Sequence, residues 1–316
     1  MTIDEANEYY TERYNEVGSW VIRPTSSKIY LGRKDEAYCR FCKRIGDGIT
    51  FRKRAHAIAE SLGNKALFSH YECDECNTFF GQTIETDFGA WSKPMRTLCR
   101  IIGKSGVPSI RLNQNGVARI DVESGVIKIR DYEDDPQFEI DEAARTLKLN
   151  LKRDTYTPIA VMKAFTKFGL SLMPADQMAN FELARQWIKN PDHSANFVSE
   201  LPLIYTFISG PMPNDVIALK AFIRKDVVSD VPYAFYTLSY ANEFFQVFLP
   251  CPIQDICLRD KKLSFPAFPN AIQLGLSPDY RFGSINLNLM KREKVAGEIH
   301  KVTLGFEYME TLTPQG

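Results

Sequence analysis

Seven cysteines occur in the 316 residues, and four of them form two C-x2-C pairs. Cys39-Arg-Phe-Cys42 is one pair and Cys73-Asp-Glu-Cys76 the other, with thirty residues between them. Each pair presents two sulfurs from one tight turn, and four thiolates match the softness and coordination number of Zn²⁺. A thioredoxin-like redox motif needs only one such pair, in a strand–helix setting, so a structural zinc is the better reading. Cys99, Cys251 and Cys257 read as small buried hydrophobes rather than ligands. The zinc reading presupposes a reducing compartment. The first residues, MTIDEANEYY, are acidic and polar, unlike a secretory signal or a basic transit peptide. The expectation is therefore a cytoplasmic protein.

Charge offers a second clue. The chain carries 39 basic and 39 acidic residues, so no global electrostatic argument points to nucleic acid. From Leu31 to Ala66, however, nine basic residues (Arg33, Lys34, Arg40, Lys43, Arg44, Arg52, Lys53, Arg54, Lys65) face four acidic ones (Asp35, Glu36, Asp47, Glu60). Such a block can neutralise phosphates. Taken alone it reads more readily as a solvated, charged surface. Apolar content of 44% and charged content of 25% are ordinary for a globular protein and exclude disordered, collagen-like and disulfide-scaffold classes. Apolar runs such as Phe244–Leu249 are too short to span a bilayer, so no membrane partner is expected.

Around and between the cysteine pairs stands Ala55-His56-Ala57-Ile58-Ala59-Glu60-Ser61-Leu62-Gly63-Asn64, then Cys73-Asp74-Glu75-Cys76-Asn77-Thr78-Phe79-Phe80-Gly81, then Glu85. Over roughly Ala37 to Trp91, under a fifth of the chain, this resembles the HNH endonuclease family, in its branch with a four-cysteine zinc. The resemblance implies a zinc-stapled ββα-metal, treble-clef-like unit that hydrolyses DNA phosphodiesters with one divalent metal, Mg²⁺ or Mn²⁺. On that pattern His56 is the general base, and Asn77, directly after the last knuckle cysteine, fills the family's third position and is a metal ligand. Many relatives carry Asp or Glu just before the histidine. Here Ala55 has no oxygen to donate, so a hard cation needs another carboxylate. Glu85 is the first choice and Glu60 the second. The family's middle asparagine usually lies about five residues before the second knuckle, whereas Asn64 lies nine before it and His70 three. Bland readings stand beside these. Asn77 also reads as a helix-start hydrogen-bonder, Glu85 and Glu60 as parts of a solvated face, His70 as structural, and Asp87 as exposed.

Elements must position these groups. The pattern predicts a short strand at Ile49–Phe51 after the Asp47-Gly48 turn. It also predicts a helix from about Cys73 to Phe88, stopped by Gly89 ahead of Pro94. An N-terminal helix, Ile3–Val17, leads through Gly18 into Trp20-Val21-Ile22 and should pack on the zinc unit. From Ser109 to Lys152 apolar residues alternate with polar ones (Val117 to Val122, Ile127 and Ile129, Leu147 to Leu151), with turns at Asn115-Gly116 and Ser124-Gly125. That is an antiparallel meander with one wet face. Thr157-Pro158 caps a helix with Val161, Phe165, Phe168 and Leu172 on one face. Pro174 opens a second helix, ending at Asn190-Pro191. Strands return at Leu203–Ile208, Val216–Arg224, Tyr233–Tyr240, Phe244–Leu249 and Val302–Tyr308. His193 and His300 lack partners at metal spacing.

The fold class expected is α+β, with a nuclease domain over residues 1–105 and a recognition or regulatory domain over 106–316. The expected function is a metal-dependent DNA endonuclease. The resemblance further implies an antiphage-defence effector controlled by its C-terminal domain, by a nucleotide messenger or by an activating protein partner such as a short prokaryotic Argonaute, with homo-oligomers a further option. The alternative is a non-catalytic four-cysteine module that only binds DNA or protein; Ala55 argues for it, and His56 followed by Cys76-Asn77 at family spacing argues against it.

Overall fold

The computed structural model describes residues 2–46, 48–112, 118–130, 138–194, 198, 200–226, 230–258, 261, 265–269 and 283–308. The Asn115-Gly116 turn and Val117 lie outside the described residues, as does Asp47. The chain is α+β.

Helix α1 (Ile3–Arg13) starts with a capping box: Glu5 N–H donates to the Thr2 hydroxyl, and Thr2 N–H donates back to the Glu5 carboxylate. It stops at Arg13, four residues before the expected end, because Tyr14–Ile22 forms a strand, β1. This strand pairs antiparallel with a strand more than 190 residues on, Tyr14 opposite Arg224 and Ile22 opposite Ile217. A bulge between Glu16 and Gly18 interrupts the register. The Trp20 ring folds back over Gly18 so closely that a Cβ there would meet it at 2.2 Å, so only glycine fits. α1 therefore packs on the large sheet, where Tyr10 and Tyr14 meet Phe235, rather than on the zinc unit.

The zinc unit follows. Strands β2 (Ile29–Leu31), β3 (Ala55–His56) and β4 (Leu67–Ser69) form a small sheet in the order β2-β4-β3, with β2 parallel and β3 antiparallel to β4. No strand forms at Ile49–Phe51; the hairpin is β3–β4, and His56 itself is on it. The single helix expected after Cys73 is two: α2 (Asp74–Gln82) and α3 (Ile84–Leu98), broken at Thr83. Gly89 does not stop α3, and Pro94 lies inside it. Two guanidinium groups serve carbonyls of the turn before the proline: Arg96 donates to Gly89 O at 2.7 Å and Arg153 to Trp91 O at 2.6 Å.

The expected meander divides into two three-stranded sheets. One is β5 (Ile110–Arg111), β6 (Arg119–Glu123) and β7 (Val126–Arg130), with the tight turn at Ser124-Gly125, both at positive φ. The other joins β8 (Phe138–Asp141) and β9 (Thr146–Lys152) to a strand near the C-terminus, a non-local partner that periodicity cannot reveal. Both pack on Met95 and Leu98 of α3. Helix α4 (Pro158–Leu172) begins at Thr157-Pro158 as expected. Asp87, half-buried rather than exposed, accepts the Thr157 N–H. The second helix opens as a 3-10 turn at Ala175–Phe181 and becomes α5 (Glu182–Ile188).

Then come β10 (Leu203–Phe207), β11 (Ile217–Arg224), β12 (Ala234–Tyr240), β13 (Glu243–Leu249), β14 (Ser284–Asn286) and β15 (Ile299–Gly305), the partner of β9. The main sheet runs β1-β11-β12-β13-β10-β14, antiparallel throughout. Every residue of β13 is buried, because both faces of the sheet are covered. Phe222, Phe235 and Phe248 meet Tyr10 and Tyr14 on one face, while Leu238 and Phe245 join the core with α4 on the other. Tyr236 donates to Phe165 O at 2.8 Å, and Gly169 lets α4 close onto Tyr236 and Leu249. One apolar core runs from Cys39, Cys73 and Phe80 through α3 and α4 to this sheet. Among the described residues no helix is long and apolar enough to cross a membrane.

Candidate metal centre and reaction site

The sulfurs of Cys39, Cys42, Cys73 and Cys76 all lie within 4.8 Å of one another, with Cys42 and Cys73 at 3.8 Å. Zn–S bonds of about 2.3 Å in a tetrahedron place sulfurs about 3.8 Å apart, so the donor set fits zinc. The electrostatics agree. Four thiols this close cannot all ionise unless a cation shares them. A hydrogen bond from Cys76 pulls the Cys39 thiol down to about 4, while its partner Cys76 is forced far above the usual thiol range. Arg44 Nε donates to Cys42 Sγ at 3.4 Å and Cys73 N–H lies 3.5 Å from Cys39 Sγ, contacts that favour thiolates. Cys73 caps α2, so a metal here fixes that helix at its first turn.

His56 lies on β3 with its ring 4.8 Å from Phe68, directly opposite it in register. Burial lowers its pKa; Glu60 opposes this and Lys167 adds to it, leaving the ring neutral at pH 7. Nε2 faces Glu60 Oε2 at 3.6 Å, and Nδ1 is buried with no hydrogen-bond partner. A carboxylate on the Nε2 side favours the proton there and leaves Nδ1 as the basic lone pair. Glu60, the second-choice metal ligand, thus faces the imidazole and also pairs with Lys65 at 2.8 Å.

Asn77 is half-buried near the start of α2, its N–H bonded to Cys73 O at 2.9 Å. Among the described residues its side chain has no hydrogen-bond partner, so its amide oxygen is available to a ligand. Glu85 lies past the helix break on α3 rather than on the helix of Asn77. Its Oε1 takes a 3.0 Å bond from Lys167 Nζ, while Oε2 has no partner among the described residues. Asn64 is fully buried: its amide donates to Ile58 O and Leu67 O, and its oxygen accepts from Ala66 and Leu67 N–H. It clamps the loop between β3 and β4 and has no capacity left for a metal. His70 stacks on Tyr30 at 4.6 Å.

Sequence reasoning missed Lys167 and Glu72. Lys167, on α4, is 1% exposed, and its ammonium meets three oxygens at 3.0 Å: His56 O, Glu85 Oε1 and Glu72 Oε2. Burial alone would lower its pKa, but the Glu72 and Glu85 carboxylates outweigh that and hold it above the usual lysine range. Burial pushes the Glu72 carboxyl up to about 7 despite Lys167. One ammonium from a distant helix therefore fixes the backbone of His56 and the carboxylate of Glu85 together. The available signal was Lys163 and Lys167, four apart in the otherwise apolar segment PIAVMKAFTKFGLSL. Lys163 is the parallel case, donating to Asn190 O and contacting His193 Nδ1.

The cysteine cluster is the sole group of three or more His, Cys, Asp or Glu ligands among the described residues. Any second divalent ion would have fewer than three His, Cys, Asp or Glu ligands among the described residues, leaving substrate phosphate and water to complete its shell, as Mg²⁺ accepts readily.

The unit is a cysteine-stapled strand–loop–strand–helix arrangement, with histidine on the first hairpin strand and asparagine directly after the last cysteine. Residues 39–91 match the family model described as HNH endonuclease. No curated protein and no solved structure matches the chain. The match supports a nuclease-type function, and HNH domains generally act on DNA.

Proposed function

We propose that the chain is a metal-dependent endonuclease that hydrolyses DNA phosphodiester bonds, with His56 as general base and Asn77 and Glu85 as metal ligands. The observation that carries this is the neutral, half-buried His56 with an orphaned Nδ1, in the same cysteine-stapled unit as Asn77 and tied to Glu85 through Lys167. His56 Nδ1 takes a proton from the attacking water, and Glu60 stabilises the imidazolium that forms. A bound Mg²⁺ or Mn²⁺ supplies charge neutralisation at the scissile phosphate. Lys167 holds the His56 backbone and Glu85 in fixed relation. Arg52, Arg54 and Lys34 have no ion-pair partner among the described residues and lend positive charge to that side of the unit. Zinc held by four cysteines has no open position and serves structure.

The division into a nuclease part over 1–105 and a controlling part over 106–316 belongs to the same proposal. Lys167 supports control: a shift of α4 would withdraw the ammonium from the site. A defence effector that must spare its host genome needs such a coupling to whatever partner or messenger activates it. Plasmid nicking with Mg²⁺ or Mn²⁺ tests the reading, wild type beside His56→Ala. Cleavage by the wild type alone is expected; equal cleavage by both removes the assignment.

A further inference from the structure

The β2-β4-β3 sheet carries a run of aromatic rings on the face that holds His56. In register across the strands lie Tyr30, Phe68 and His56. His56 and Phe68 are 4.8 Å apart, Phe68 and Tyr30 are stacked at 5.4 Å, and Tyr30 and His70 are stacked at 4.6 Å with planes only 8° apart. Exposure rises along the run: Phe68 is 4% exposed and Tyr30 40%. Strand pairing alone explains Phe68, which the neighbouring rings cover. Tyr30 is stacked between Phe68 and His70, so the run ends in the half-buried His70 ring, whose outer face is covered by no further ring among the described residues. Cations flank the run. Arg54 lies over Phe68 with its guanidinium carbon 6.0 Å from the ring centroid, and the charge of Lys34 acts on His70. Flat rings open to solvent, next to unpaired cations, are the combination that takes up nucleotides without reading sequence.

From this we infer that Tyr30 and His70 form a stacking platform for an unpaired base of the DNA substrate, two rings away from His56. The inference rests on the nuclease reading and narrows its substrate. A base inside a duplex has both faces covered by its neighbours, so only a single-stranded or extruded nucleotide offers a face to His70, which Tyr30 backs. Arg54 and Lys34 meet the phosphates on either side of that nucleotide. The base held on the His70–Tyr30 stack then sets which phosphate reaches His56. The preferred substrate is DNA with an unpaired nucleotide next to the cut, such as a single strand, a flap or a bulge, and not a perfect duplex.

The test separates this inference from the nuclease reading by measuring binding in a chain that cannot cut. The full-length His56→Ala chain, with its zinc retained, is titrated by fluorescence anisotropy against a labelled single-stranded oligonucleotide and against the same sequence as a duplex. The single strand should bind at least about tenfold tighter. Adding Tyr30→Leu, which keeps an apolar cover on Phe68 but removes the ring, should cost about tenfold on the single strand and nothing on the duplex. Tyr30→Phe should restore the affinity, because the ring face and not the hydroxyl does the stacking. His70→Ala provides a second loss that does not disturb Phe68. Equal affinity for single strand and duplex, or unchanged single-strand binding in both Tyr30→Leu and His70→Ala, overturns the platform while leaving the nuclease reading intact. Tyr30-dependent single-strand binding in a chain whose wild type cuts no DNA upholds the platform and removes the nuclease reading.

Discussion

The cysteine cluster and the His56 site occupy one small unit, yet they are held in different ways. All four sulfurs come from two tight turns within 38 residues, and the metal they suit would join those turns directly. His56, Asn77 and Glu85 come from a strand and two separate helices. What relates His56 to Glu85 is a buried lysine on α4, 111 residues beyond His56 and 82 beyond Glu85. The first region has one ion to join its turns, although its first knuckle also leans on the C-terminal half, where Arg40 donates to Leu170 O and Met173 O and Arg185 donates to Phe41 O. The second exists only when the C-terminal half has folded against it. The contrast is one of reach: an ion suited to the four cysteines would join two nearby turns, whereas the relation of His56 to Glu85 passes through a side chain on α4.

The sharpest way to break this contrast is to remove the metal. Cys76→Ser, or exhaustive chelation, should unfold the unit, because structural zinc contributes on the order of 10 kcal/mol to folding in such units. Elemental analysis and circular dichroism would show it, and a metal-free preparation that keeps its native spectrum would contradict it.

Next in size is the chemistry. His56→Ala should lower the cleavage rate by about 10²–10⁴-fold with zinc content and thermal stability unchanged. Lys167→Met should lower stability as well as rate. Removing one member of a buried ion pair costs about 3–5 kcal/mol, because Glu72 would be left buried and uncompensated. Denaturant melts should record that loss, and activity should fall with it. If Lys167→Met melts like the wild type, the tie between α4 and the site is not structural.

These contrasts follow what was legible in the sequence. The paired cysteines, the α4 start at Thr157-Pro158 and the core strands of the main sheet follow from short-range spacing, and the structure reproduces their placement. What spacing could not show is long-range. Tyr14–Ile22 reads as the end of a helix until β11 is there to pair with it. β9 finds its second partner in Ile299–Gly305. Gly89 ahead of Pro94 reads as a helix stop, yet α3 runs through both, with Arg96 and Arg153 bonded to the Gly89 and Trp91 carbonyls. Lys167 reads as an oddity in an apolar helix until Glu72 and Glu85 surround it.

Smaller effects come from pH. Burial lowers the pKa of His56 below its usual 6.5, so the base is already neutral at pH 7. At saturating metal the cleavage rate should be flat above about pH 6.5 and fall in more acidic solution, where the ring gains its proton. A rate that climbs tenfold per pH unit from 7 to 9 would point to a different base. Stability carries a separate signature. Burial, aided by Arg153, holds His300 near 4 in the folded chain, against about 6.5 when unfolded. Between those values the unfolded state takes up a proton that the folded state refuses, so stability should drop as pH falls from 6.5 toward 4. His300→Gln should flatten that part of the melting profile.

The central claim is that His56 does chemistry while Asn77 holds the catalytic metal. Its most direct test is the cleavage rate of the full chain against Mn²⁺ concentration for wild type, Asn77→Ala and His56→Ala. The account predicts that Asn77→Ala shifts the curve to higher Mn²⁺ and regains much of its rate there, while His56→Ala stays inactive at every concentration. Robust cleavage by His56→Ala at any Mn²⁺ concentration would contradict it.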